Sequence, residues 1–167
     1  MLLEWLGKRD RKAILIATTN TPEQLDDAMM RPGRLDVKFP ILYPDADARR
    51  DILRIHLDVV RKVPHDTIDY EKIVDKTRLW TGAELEDLVK RATRTAFIAG
   101  ATRVGMPHIL EALRSFNVGK NREEELKKQL KLANRFCDNL DFLKKVSAES
   151  TDIYSKADAL LDEVTTK

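Results

Sequence analysis

The chain has 167 residues, of which 43% are apolar and 35% charged, and its 30 basic and 28 acidic side chains leave a net charge of +2. This balance gives no electrostatic argument for a nucleic-acid partner, and the single cysteine, Cys137, excludes an intrachain disulfide. No apolar stretch approaches the roughly 20 residues of a membrane span. We therefore expect a mostly α-helical cytoplasmic protein without a membrane span.

The N-terminal part carries the only strand signals. Residues 13–19, AILIATT, form a short apolar run that predicts a strand buried on both faces of a parallel sheet. A proline after a threonine predicts a short helix from about Pro22 to Met30. The loose alternation of residues 35–42, LDVKFPIL, predicts a second short strand, which Pro40 restricts to an edge or a bulge.

Four helices are predicted next, by apolar side chains at helical spacing and by capping residues. Asp45 is the expected N-cap of the first, and Thr81-Gly82-Ala83-Glu84 has the form of a capping box at the start of the third. Their predicted extents are about 45–64, 70–76, 81–99 and 107–116.

The C-terminal part has a separate helical pattern. Asn121 and Glu124 have the spacing of a capping box, and a stripe at spacings of four and three follows them. We interpret this stripe as intramolecular packing or as a docking helix for a partner; its residues are Leu126, Leu130, Ala133, Cys137 and Leu140. A last amphipathic helix is predicted within 153–164. The predicted domains are 1–43, 44–118 and 119–167.

A single parallel strand is not a domain. The run at 13–19 needs parallel neighbours, and the residues before it are too few for even one crossover unit. We therefore expect residues 1–43 to be the end of an α/β subdomain whose earlier strands lie outside this chain, which would make the chain a fragment or a split gene product.

Four strings in order carry a family resemblance: ILIATTN, LDDAMMRPGRLD, YPDADARRDILRIH and TGAELEDLVKRA. Together they resemble the C-terminal half of an AAA ATPase module over about residues 2–117. The likeness favours archaeal unfoldases of the valosin-containing-protein type, with proteasome-associated and membrane-protease modules next. The implied fold is the end of a parallel P-loop-type α/β subdomain, a four-helix lid and a helical extension.

The resemblance implies catalytic roles for Asn20, Arg31 and Arg34. Asn20 corresponds to the sensor 1 residue, which holds the attacking water or touches the terminal phosphate; the alternative is an amide that only bonds the turn after the strand. Arg31 and Arg34 correspond to arginine fingers that act on the nucleotide of a neighbouring subunit. The alternative for them is ion pairing with nearby aspartates, namely Asp26, Asp27 or Asp36.

The resemblance also implies a nucleotide-base site. His56 stands where the family has a histidine near the base or ribose, with a solvent-facing helix histidine as the alternative. Gly82 and Ala83 match the small pair at the sensor 2 helix, where the adenine approaches the backbone; a simple capping box is the alternative. The sequence differs from the family pattern at Leu79 and Trp80, which stand in place of a common glycine–aromatic pair.

The chain also lacks family motifs. The phosphate loop G-x-x-x-x-G-K-[ST] is absent, and no apolar strand ends in the Asp-Glu pair that would hold Mg²⁺. The expected cofactor, ATP with Mg²⁺, would thus be bound only in the intact assembly, and the chain alone should not hydrolyse ATP. His65 and His108 have no ligand cluster around them, so no metal site of protein ligands alone is expected.

The implied function is ATP-driven unfolding or remodelling of protein clients in a hexameric ring. The partners would be further copies of the chain or the missing N-terminal half, and no nucleic acid. The alternative is a non-catalytic helical protein-interaction module derived from an AAA lid.

Overall fold

The structure, a computed structural model, describes residues 2–8, 12–117 and 121–137. This part of the chain is mostly helical, which confirms the predicted fold class. A 3₁₀ turn, Pro22–Gln24, and a π-helical segment, Ile55–Val60, accompany the α-helices. The helices are α1 Leu2–Leu6, α2 Ala46–Arg54, α3 Tyr70–Lys76, α4 Gly82–Ile98, α5 Met106–Arg114 and α6 Arg122–Phe136.

The described residues divide into two compact units. The first contains those up to Leu42 and those from Glu124 onward, and the second is Tyr43–Glu123. No helix in the described part of the chain is long and apolar enough to cross a membrane.

The second unit contains the four predicted helices, and each begins close to its predicted start. Asp45 caps α2 by accepting a hydrogen bond from the Ala48 backbone N–H at 2.7 Å, and Asp69 caps α3 in the same way. Thr81 forms the predicted capping box with Glu84 at the start of α4. These starts depend on contacts within a few residues, which is why the sequence predicts them.

The core of the second unit consists of the inward faces of α2, α3, α4 and α5. Its largest fully buried side chains are Leu53, Leu57, Ile73, Leu85 and Leu88. The ring of Trp80 lies against that of Phe116, with centroids 4.4 Å apart, and closes the core beside α5.

Arg49 is buried within this core and connects α2 to α3. It donates hydrogen bonds to the carbonyls of Pro44 at 2.9 Å and Val74 at 3.3 Å. Burial lowers the pKa of Arg49, and the carboxylates of Asp45 and Asp75 oppose that shift. These two hydrogen bonds to carbonyls replace part of the hydration that the guanidinium loses on burial.

After α2 the backbone continues as the π-helical segment Ile55–Val60. Ile55 keeps right-handed helical dihedrals (φ −58°, ψ −44°), so the chain passes from α into π without a break. A π turn inserts an extra residue into a helix and changes the face on which later side chains lie. The helix predicted to end near Pro64 therefore ends at Val60, and its last six residues form the wider π-helical segment.

The first unit departs most from the sequence analysis. Residues 13–19 are extended but exposed, with Ile14 at 93% and Ile16 at 85% of full exposure, and no β-strand forms among the described residues. The predicted buried strand at 13–19 and the second strand at 35–42 are therefore wrong for this chain alone. A β-strand needs a neighbour for its backbone groups, and the described residues offer none at this place.

The predicted helix from Pro22 to Met30 is also wrong beyond its first turn. Only Pro22–Gln24 is helical, as a 3₁₀ turn, and Thr21 forms no capping hydrogen bond because its dihedrals (φ −130°, ψ 65°) are not those of a helix cap. Two further turns follow, in which Met29 and Met30 bond back to the carbonyls of Asp26 and Asp27.

Helix α6 begins at Arg122, close to the predicted start of the C-terminal part. Three residues of the predicted apolar stripe are buried: Leu126, Ala133 and Cys137. Leu140 and the predicted helix within 153–164 lie outside the described residues.

Candidate functional site

In the first unit the Arg31–Arg34 turn is built around a left-handed glycine. Gly33 has φ +85°, a conformation that side chains with a Cβ rarely adopt. Its N–H donates a hydrogen bond to Oδ1 of Asp36 at 2.5 Å. Glycine, proline and this aspartate therefore fix the direction of the chain between the two arginines.

The two arginines have different surroundings. Arg34 is half-buried and donates a hydrogen bond from Nη1 to the Ala28 carbonyl at 2.5 Å. Arg31 is exposed, and in the described part of the chain neither arginine forms an ion pair with Asp26, Asp27 or Asp36. The guanidinium of Arg31 is thus available to an anion, whereas that of Arg34 is partly engaged by backbone.

An open groove of about 720 Å³ lies beside this turn. It is lined by Lys8, the Arg31–Arg34 turn and Asp36, together with apolar side chains from the extended run. Three of its lining side chains are cationic and one is anionic. The groove therefore favours a negatively charged group.

Asn20 lies at the end of the extended run and is exposed. It is flanked by a small turn in which the Thr21 N–H donates to Thr19 Oγ1 at 3.0 Å. Asn20 does not line the groove beside Arg31, so the structure does not bring these residues to one site.

In the second unit His56 lies on the π-helical segment and is half-buried. Its Nδ1 is buried and has no hydrogen-bond partner in the described part of the chain. The pKa of the Glu86 carboxyl on α4 is lowered by its hydrogen bonds from Lys90 and Arg61 and, to a lesser extent, by His56. A buried polar atom without a partner carries a free-energy cost that a ligand could remove.

Gly82 and Ala83 occupy the first turn of α4. Ala83 is exposed, and a Cβ added to Gly82 would lie 3.9 Å from Cδ1 of Ile52, which is an ordinary contact. The capping box between Thr81 and Glu84 is formed, so the structural role of this turn, which was the alternative to a nucleotide contact, is present. Small side chains at a helix N-terminus still permit close approach of a ligand to the backbone.

No pattern in the sequence indicates a role for Arg122. It donates to Oε2 of Glu84 at 2.8 Å and to the Leu79 carbonyl at 2.6 Å, and it also forms an ion pair with Oε1 of Glu84. Burial raises the pKa of Glu84, but the bonds from Arg122 and Thr81 outweigh it, and the pKa is lowered overall. The capping carboxylate of α4 therefore also pairs with Arg122 within the second unit.

Leu79 has a backbone conformation that usually favours glycine. Its φ is +60°, in the left-handed region where a Cβ costs about 1–2 kcal/mol. Leu79 is also buried, at 8% of full exposure, so apolar burial offsets part of that strain. The bond from Arg122 to its carbonyl holds the strained turn in place.

The six residues singled out in the sequence thus form two sets. Asn20, Arg31 and Arg34 belong to the first unit, and His56, Gly82 and Ala83 belong to the second.

Comparison with known proteins finds one matching family model and several similar proteins. Residues 1–43 match the family model described as "ATPase family associated with various cellular activities (AAA)". The chain is 36% identical over 113 residues (68% of the chain) to the ATP-dependent zinc metalloprotease YME1L of Drosophila melanogaster. It is 39% identical over 110 residues (66%) to the ATP-dependent zinc metalloprotease FtsH 3 of Petrotoga mobilis.

A third relative is the 26S proteasome regulatory subunit 10B homolog A of Arabidopsis thaliana, 38% identical over 127 residues, or 73% of the chain. The chain spans only 15%, 17% and 31% of the lengths of these three relatives, respectively. The expected likeness to the valosin-containing-protein type is not supported, and the FtsH type fits better. By the match over residues 1–43 and these relatives, the chain is related to the AAA ATPases.

Proposed function

We propose that the chain supplies the C-terminal part of an AAA ATPase module of the FtsH type. In the intact assembly this module would couple ATP hydrolysis to unfolding or remodelling of protein clients in a hexameric ring. The observation that carries the proposal is the AAA match over residues 1–43, because it includes the whole Arg31–Arg34 turn. The relatives named ATP-dependent support the same activity.

In this proposal Arg31 acts as the arginine finger. Its exposed guanidinium has no carboxylate partner in the described part of the chain, and it lines a groove with a cationic majority. Charge stabilisation is most of what a protein contributes to phosphoryl transfer, and a planar guanidinium matches phosphate oxygens. Arg34 would join it, while its bond to the Ala28 carbonyl orients the turn.

The local nucleotide would be contacted by the other residues. Asn20 would orient the attacking water with a neutral amide, and Gly82 and Ala83 would let the base approach the backbone of α4. His56 would donate or accept at the base or ribose through Nδ1, the buried atom without a partner.

The described residues fit only part of the cofactor. They offer cations for phosphate and an orphaned imidazole atom for the base, but no group of three or more His, Cys, Asp or Glu that could hold a metal ion. Bound ATP would supply the phosphoryl group, and the residues of this chain would contribute charge, orientation and base contacts.

A chimaera tests the proposal. The matched segment of Petrotoga mobilis FtsH 3 would be replaced by the corresponding residues of this chain, and ATP turnover and binding of a fluorescent ATP analogue would be measured. We expect turnover in the chimaera, and a loss of about 10³-fold or more in Arg31→Ala with analogue binding retained.

Arg94→Ala is the matched control, because Arg94 is an exposed arginine on α4 outside the proposed site. The ring is checked by light scattering in each variant. If Arg31→Ala hydrolyses ATP as fast as Arg94→Ala in an intact ring, the finger assignment is wrong. If the folded, assembled chimaera has no turnover at all, the alternative of a non-catalytic interaction module is favoured.

A further inference from the structure

A second groove, of about 620 Å³, lies in the second unit beside α3 and α5. Its apolar wall consists of Leu110 and Leu113 on α5, with Phe116 just after that helix and Trp80 just before α4. Leu110, Leu113 and Phe116 are only half-buried, whereas Trp80 is 4% exposed. The wall therefore presents aliphatic and aromatic surface that an apolar side chain could cover.

The rim of this groove is cationic. Lys72 and Lys76 lie one turn apart on α3, both exposed, and neither forms an ion pair with any described residue. Arg114 of α5 supplies a third positive charge. Its ion pair to Glu111, at 3.2 Å, is between exposed side chains and stabilises little.

The acidic residues of α3 lie on another side of the helix. Glu71 accepts a hydrogen bond from Nε of Arg50 on α2 at 2.6 Å, and Asp75 acts on the pKa of the buried Arg49 of α2. The carboxylates of α3 therefore lie on the side of the helix that faces α2, and its lysines lie on the side that faces the groove. This separation leaves the positive charge of the rim uncompensated by its own helix.

We propose that this basic groove, defined by Lys72, Lys76, Leu110, Leu113 and Arg114, binds an acidic protein segment that carries an apolar anchor. Carboxylates of the segment pair with the rim, and a leucine or phenylalanine covers the wall. A nucleic acid fits less well, because Trp80 is too buried to serve as a stacking platform and the ring of Phe116 is already in contact with Trp80 and with the guanidinium of Arg91. The proposal is independent of the ATPase function.

Trp80 provides the readout. In the full chain with Trp5→Phe, Trp80 is the remaining tryptophan, and it lines the groove. The probe is a short glutamate-rich peptide with one leucine and one phenylalanine. We expect a saturable change in Trp80 emission that weakens several-fold between about 20 mM and about 200 mM NaCl. A peptide of equal charge with serine in place of the two apolar residues should bind at least about tenfold more weakly, since each buried apolar side chain contributes substantially to affinity.

The decisive variant is Lys72→Glu with Lys76→Glu. Reversing two rim charges should weaken binding by about tenfold or more, because each exposed pair turns from attraction to repulsion. Lys127→Glu with Lys131→Glu is the matched control: it reverses two exposed lysines at the same spacing on α6 and should leave the affinity unchanged. Circular dichroism verifies that both proteins are folded.

The proposal is overturned if Trp80 emission does not respond to the peptide. It is also overturned if both double variants bind equally, or if a polyuridine oligonucleotide binds as tightly as the peptide and competes with it.

Discussion

Replacing Arg122 with alanine should destabilise the second unit more than any exposed ion pair can. The side chains of Arg122 and Glu84 are only 18% and 21% exposed, so the carboxylate left behind would be mostly buried and would keep only its bonds to Thr81. A hydrogen bond to a charged group contributes about 1.5–3 kcal/mol, and breaking a fully buried pair costs about 3–5 kcal/mol. For this partly buried pair we expect a loss of about 2–3 kcal/mol, which includes the bond to the Leu79 carbonyl.

The free energy of unfolding would be measured by urea denaturation with Trp80 emission in the Trp5→Phe background, so that the signal comes from the second unit. Arg114→Ala is the control. Its pair with Glu111 is 77% and 59% exposed, and its removal should cost no more than about 0.5 kcal/mol.

The pH dependence gives a second, independent check on Arg122. The pKa of Glu84 is lowered in the folded chain, so the stabilisation from the pair is present above the unfolded pKa of about 4.3 and is lost as the pH falls through the folded value. The difference between the parent protein and Arg122→Ala should therefore shrink in acid. If Arg122→Ala costs no more than Arg114→Ala at neutral pH, the reasoning on the Arg122–Glu84 pair is refuted.

Three further predictions concern the second unit. The pKa of His65 is raised, first by its hydrogen bond to the Asp66 carbonyl and then by Asp58 at 2.6 Å. The stabilisation from protonated His65 is therefore present below about pH 6.5 and is lost as the pH rises through the folded pKa. In His65→Gln the urea midpoint of unfolding should change less with pH across that range than in the parent protein. Leu85→Ala, at a fully buried position, should cost about 2–5 kcal/mol in urea unfolding, and a smaller loss would contradict the described core. Thr81→Ala should cost about 1 kcal/mol and speed amide exchange in the first turn of α4; unchanged exchange would contradict the observed capping box.

The helices of the second unit were predictable because their starts depend on neighbours in sequence. The Thr81–Glu84 box closes within three residues, and Asp45 caps the first turn after it. The bond between Arg122 and Glu84 joins residues 38 positions apart, and no periodicity or capping rule indicates it. The one signal nearby was the Leu79–Trp80 pair, which stands where the resemblance implies a glycine–aromatic pair.

The N-terminal predictions failed because the conformation of this part of the chain depends on contacts beyond its neighbours in sequence. The apolar run at 13–19 has the composition of a buried strand, but pairing is a property of two segments and the sequence of one cannot supply it. The predicted helix after Thr21 had the right residue types, yet the backbone at Thr21 does not take the dihedrals of a cap. The roles of Asn20 and Arg31 stay predictions, because they depend on a nucleotide.

The exposed run around Ile14 has a consequence for how the protein behaves in solution. The backbone groups of residues 14–16 form no hydrogen bond within the described chain, and Ile14 and Ile16 project β-branched side chains into water. Such a segment is a template for intermolecular β-pairing, with no proline or charge within it to block growth. Purified at high concentration, the chain should aggregate through this run before its helices melt, and a single Ile16→Lys gatekeeper should delay turbidity without changing the helical signal.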